Sequence, residues 1–129
     1  MNHRRGPLLL VLAAFALAAC TPSQPEVVRP AGGAVYAPTQ YVEILEKAPS
    51  KPYTEIGVID APGEPGALRA QVMAQVRTKA AQMGADAVIL TDLSRPAPVT
   101  QRLNPTTGTY ETVGGQMIPA FRGIAIKYR

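Results

Sequence analysis

The residues equipped for chemistry are few. One thiol, Cys20, and one imidazole, His3, are the parts of a cysteine–histidine nucleophile, and both lie near the N-terminus. In the body of the chain the chemistry available is that of oxygen and of cations. Asp60, Glu64, Asp86 and Asp92 could gather at one end of a sheet as ligands for a hard cation, although their spacing matches no calcium loop and solvated loop carboxylates are the simpler reading. Asp86, directly after Gly84-Ala85, could be a ligand group. Its plainer role is to accept hydrogen bonds from backbone amides where a helix gives way to a strand. Gly114-Gly115 reads as a turn or bulge and is weak support for a phosphate cradle. Arg102 and Tyr110 fall on two segments that read as a hairpin, projecting polar and aromatic groups from a rigid base; an unengaged surface loop is the plainer reading, and a docking partner, if there is one, is first sought there.

The N-terminus decides what becomes of the thiol. Met1-Asn2-His3-Arg4-Arg5 is basic, Leu8 to Ala19 is apolar without a charge or amide, and Cys20 follows. That layout is an export signal over residues 1–19. The apolar run is roughly a dozen residues, short of the ~20 a spanning helix needs. Leu17-Ala18-Ala19-Cys20 resembles the bacterial lipobox, in which a branched apolar residue and two small ones precede a cysteine. The resemblance implies diacylglyceryl transfer to the Cys20 thiol, cleavage before Cys20, and acylation of the new amino group. The alternative is an ordinary signal cut at an Ala-x-Ala site, such as after Ala19. By the sorting rule of such lipoproteins, Thr21 rather than aspartate after the cysteine implies the outer membrane, on its periplasmic face.

Loss of residues 1–19 removes Arg4 and Arg5 and no acid, leaving eleven of the thirteen Lys and Arg against nine acids, a net charge of +2. With that small charge, and in that compartment, a nucleic-acid partner is not expected. His3 leaves with the signal and Cys20 is consumed by lipid. The mature chain then lacks the imidazole and thiol needed for serine or cysteine triads, for imidazole or thiolate zinc sites, and for a disulfide. No arrangement of the remaining side chains argues for an enzyme, a cofactor or a metal centre.

Residues 20–40 carry the lipid-bearing cysteine and Pro22, Pro25, Pro30, Pro38, Gly32 and Gly33, a composition that predicts a mobile tether. The globular part is then 41–129. Within it Tyr41 to Leu45 reads as a strand, and Tyr53 to Asp60 as a central one, with Gly57 marking a bulge or a close approach by another element. A turn over Ala61 to Gly66 leads into a helix from Glu64 or Ala67 to Met83. Its apolar stripe is Leu68, Val72, Val76, Ala80 and Met83, with Met73 at the edge, and Gly84 suits the left-handed position after the helix. Asp86 to Thr91 reads as a buried strand completing a β-α-β unit with the Tyr53 strand. Val99 to Leu103 and Thr109 to Val113 flank a hairpin tip, and Phe121 to Tyr128 is a last strand. The expected class is α+β: a small mixed sheet of about five strands with one main packed helix, in the order β-β-α-β-β-β.

Tyr53-x-x-Ile56-Gly57-x-Ile59, then Ala80-x-x-x-Gly84-Ala85-Asp86-Ala87-Val88-Ile89, then Gly123-x-Ala125-Ile126-x-Tyr128 form a familiar order. It resembles small bacterial envelope lipoproteins, among them the stress-sensor lipoprotein of the Rcs pathway, and is similar to the pentamer-forming domain family labelled heavy-metal-binding. The resemblance covers most of residues 53–129 and implies the fold. The mature chain has no cysteine for the disulfides of the Rcs sensor and no His or Cys to meet a metal label, so no binding residue carries over.

These readings make the chain a non-catalytic envelope protein, held to the membrane through lipidated Cys20 and binding another envelope protein or sensing envelope state. The alternative is a small-molecule or metal-ion binding protein, acting as a homo-oligomer with sites between subunits. A purely structural envelope component is the third.

Overall fold

The structure, a computed structural model, describes residues 23–129. The expected signal peptide over 1–19 and the lipobox Leu17, Ala18, Ala19 and Cys20 lie outside the described residues. One helix, α1 (Arg69–Gln82), packs on a mixed five-stranded sheet ordered β1-β3-β9-β4-β2. Its strands are β1 (Glu26–Val28), β2 (Glu43–Leu45), β3 (Tyr53–Pro62), β4 (Ala87–Asp92) and β9 (Ala120–Tyr128). Two small antiparallel ladders stand between β4 and β9 in sequence: β5 (Arg95–Pro96) with β8 (Met117–Ile118), and β6 (Thr100–Leu103) with β7 (Tyr110–Val113). The class is α+β, as the patterning predicts.

The β3-α1-β4 crossover leaves a gap that β9 fills, antiparallel to both neighbours, while β2 adds parallel to β4. The last strand is therefore the centre of the sheet. On one face of β9, Phe121, Gly123 and Ala125 are buried under the helix, where Val72, Val76, Ala80 and Met83 supply the facing stripe. Each fully buried valine of this kind stabilises by about 1.5–3 kcal/mol. The close fit depends on Gly123, because a Cβ there would sit 2.6 Å from Val88 Cγ1 and 3.1 Å from Val76 Cγ1. Gly123→Ala is expected to lower the urea midpoint with an unchanged slope, by about 1–3 kcal/mol of overpacking; an unaltered midpoint would mean the helix rides further from the sheet.

Gly57 meets both expectations placed on it. The β3–β9 register slips between Glu55 and Gly57, leaving Ile56 as the extra residue, and both Ile56 and Ile59 join the core. A side chain at Gly57 would also collide with Met83 Cε and the Val28 carbonyl. Strand β3 thus makes room for the helix end and for β1 at one point.

The helix differs from the sequence reading at its start. Glu64-Pro65-Gly66-Ala67 closes a turn, with Ala67 N donating to Glu64 O at 3.0 Å and Gly66 at φ +79°. Proline then glycine at the two central positions is the type II pattern. Leu68 consequently caps the helix instead of joining the apolar stripe, and it is 64% exposed. At the other end Gly84 is left-handed, φ +81°, as its position after the stripe predicts.

The larger correction concerns residues 20–40. From residue 23 onward this segment is docked, contrary to its reading as a tether. Its Glu26–Val28 strand pairs with Val58–Asp60 of β3, Val27 and Tyr36 pack on the core, and Thr39 bonds Ala81 O through its amide (2.9 Å) and Ala85 O through its hydroxyl (2.6 Å). Three residues suffice because β3 already offers an unpaired edge, and Pro25 and Pro30 merely bracket the strand where an edge tolerates them.

Candidate functional site

The four carboxylates weighed as cation ligands are not brought together. Asp60 holds Arg122 across the β3–β9 register through two bonds, 2.6 and 3.1 Å, and Glu64 accepts the Ser23 hydroxyl. Asp92 pairs with Arg69 at 2.6 Å at the end of β4, and Asp86 pairs with Lys127 at 3.0 Å at its start. Among the described residues no three His, Cys, Asp or Glu side chains converge on one point.

Asp86 shows why its type is needed. The half-buried carboxylate accepts the backbone amide of Tyr128 at 3.0 Å as well as Lys127 Nζ, while its own amide donates to Ile126 O at 2.9 Å. The backbone-bonding role expected of it is met by the last strand rather than by the helix–strand junction. It locks the end of β9 to the head of β4. Lys127 also lies 5.8 Å from the Tyr36 ring, so one ammonium ties the docked N-terminal segment to this corner. Beside it, burial first and then the Glu43 and Asp86 carboxylates push the Tyr128 phenol up.

At the opposite end of the sheet a second knot forms around Asp92. Asp92 accepts the Ser94 amide at 2.9 Å, and Arg69 bonds Asp92, reaches Ser94 Oγ at 3.3 Å and stacks 5.0 Å from the Phe121 ring. Only the Asp-x-Ser spacing hinted at it. Hydrogen bonds from Ser94, then Arg69, hold the Asp92 carboxyl at about 2, below its ordinary 3.8. A carboxyl depressed in the folded state contributes stability above its unfolded pKa and loses it as pH falls through the folded one. Wild type is thus expected to lose stability between pH 3.8 and about 2 in a way that Asp92→Asn does not. The effect is small, since the side chain is 46% exposed and water screens the pair. Urea midpoints at pH 5 and pH 2 measure it, and parallel losses in the two proteins would refute the assignment.

The most open feature is the β6–β7 arm. Every residue of both strands is exposed, and the apolar ones are large: Leu103 is 50% and Tyr110 71% exposed. Pairing sets Thr100 opposite Val113, Arg102 opposite Glu111, and Leu103 opposite Tyr110. Alternation along a strand then puts Leu103 and Tyr110 on one face and Arg102, Glu111 and Val113 on the other. Arg102 and Tyr110, singled out together from the sequence, share the arm but not a face. The tip is well built: Asn104 Oδ1 accepts the amides of Thr106 and Thr107, and its Nδ2 donates to Glu111 at 2.6 Å.

Of the clefts bordering residues 23–26, the one of about 380 Å³ beside the helix is walled by Gln24, Pro25, Ala74, Gln75, Thr78, Lys79 and Gln82, a mixed lining. The one of about 250 Å³ at the end of β4 is mainly apolar, with Ala61, Pro62, Leu93 and Phe121 beside Glu26 and Asp60, and is smaller than the roughly 300–1,000 Å³ of ligand pockets. The arm is the candidate site. No family model, curated protein or solved structure matches the chain.

Proposed function

We propose that the chain is a non-catalytic envelope lipoprotein, anchored through Cys20, whose domain docks another envelope protein on the β6–β7 arm. The observation that carries this reading is the arm itself. A two-stranded hairpin with no third layer buries little and is marginal alone, yet here it carries Leu103 and Tyr110 side by side on one face, with nothing packed on them. Tyrosine is among the residues enriched at interface hot spots, and Leu103 widens the exposed apolar surface beside it. The anchor rests on the signal-like residues 1–19 and the lipobox resemblance, and the absence of catalysis on a mature chain left without imidazole or thiol.

A photo-crosslinking residue at Gln101, on the same face, is expected to trap a discrete partner in intact envelopes. Leu103→Ser with Tyr110→Ser should weaken that capture at least roughly tenfold, as for a typical hot spot, without shifting the melting temperature. Equal capture by the double variant would dismiss the arm as the docking element.

A further inference from the structure

We propose that the end of the domain at which residue 23 enters rests on the phospholipid surface, with Leu68, Leu93 and Met117 as its contact side chains. This rests on the reading of Cys20 as the lipid-bearing residue. From Cys20 to Ser23 is three residues, which span at most about 11 Å even when fully extended. Ser23 is held by Glu64, and Glu26 is fixed opposite Asp60 by the sheet. A twenty-residue leash would let the domain wander tens of ångströms from the bilayer. The docked segment leaves it almost no slack.

Topology then decides which surface faces the lipid. Strand β1 enters opposite the far end of β3, where the helix begins, β4 ends and β9 starts. Ser23 borders the same cleft as Ala67, and Gln24 the same cleft as Leu93. Met117 is tied to this end by the bond from Gly66 N to its carbonyl, 3.0 Å. Leu68, Leu93 and Met117 are 64%, 49% and 53% exposed. Arg95, in the ladder next to Met117, adds a cation able to reach lipid phosphate. A few such side chains would not bind a free protein to membranes, but tethering raises their effective concentration at the surface to roughly millimolar.

The mature chain has no other cysteine, so the full lipidated protein can be labelled at one engineered thiol. Leu68→Cys, Met117→Cys and, at the opposite end, Tyr41→Cys each receive a fluorophore and are reconstituted in phosphatidylcholine vesicles carrying a headgroup nitroxide. All three sites are exposed, and matching melting curves confirm folding. Quenching several-fold stronger at 68 and 117 than at 41 is the expected result. Equal quenching at both ends, with the protein floating with the vesicles, overturns the orientation while leaving the anchor intact. Protein that neither floats nor carries lipid mass overturns the anchor itself, and the orientation with it.

Discussion

With Cys20→Ser, and an ordinary cleaved signal peptide in place of residues 1–19, the protein is expected to move almost entirely from washed membranes to the soluble periplasmic extract. Each buried methylene contributes about 0.8 kcal/mol, and one myristoyl chain alone gives only reversible binding, near 10⁴ M⁻¹. Two or three chains on one residue hold a protein for longer than any extraction lasts. Among the described residues no helix is long and apolar enough to cross a membrane. The fold is expected to survive the change, since among the described residues the core is assembled from side chains between Val27 and Ala125. Palmitate labelling and the mass of the N-terminal peptide measure the modification, and the melting curve measures the fold. Retention of the serine variant in washed membranes would remove the basis for the anchor, and with it the compartment.

Much of the scaffold was legible because it follows from local periodicity. Val72, Val76, Ala80 and Met83 at helical spacing, Gly84 after them, and the apolar run from Ala87 set α1 and β4 before any contact is known. The fate of residues 23–40 was not legible, since composition averages over a segment whereas docking needs only Val27, Tyr36 and Thr39 in the right places. What holds them lies far away in sequence, on the edge of β3 and at the helix end. The same limit applies to the arm: its existence is written in Asn104-Pro105 and Gly108, but which side chains share a face depends on pairing parity, and one residue of slip would reverse it. Likewise nothing within reach of Asp92 in the sequence names Arg69 as its partner.

Gly84→Ala is expected to cost about 2–5 kcal/mol and Gly66→Ala only about 1–2, although the two residues have nearly the same backbone, φ +81° and +79°. The shared part is the strain of a Cβ in the left-handed region. The difference is the neighbourhood: a Cβ at Gly66 meets nothing within 4 Å, whereas at Gly84 it would lie 2.5 Å from Tyr36 Cβ and 2.6 Å from the Ala37 carbonyl. Backbone on one side and a helix terminus on the other leave little to give, so the relief open to the chain is to lift the N-terminal segment away. Urea midpoints of the two variants measure the difference, and equal losses would show that the contact is not felt. Hydrogen exchange locates it, because the Thr39 amide, which donates to Ala81 O at 2.9 Å, should lose protection before the β9 amides do. Lifting residues 23–40 would also restore the slack that docking removes. In vesicles the Gly84 variant should therefore show weaker quenching of a label at position 68 while remaining fully membrane-bound, a separation of anchoring from orientation that a stability defect elsewhere in the core would not produce.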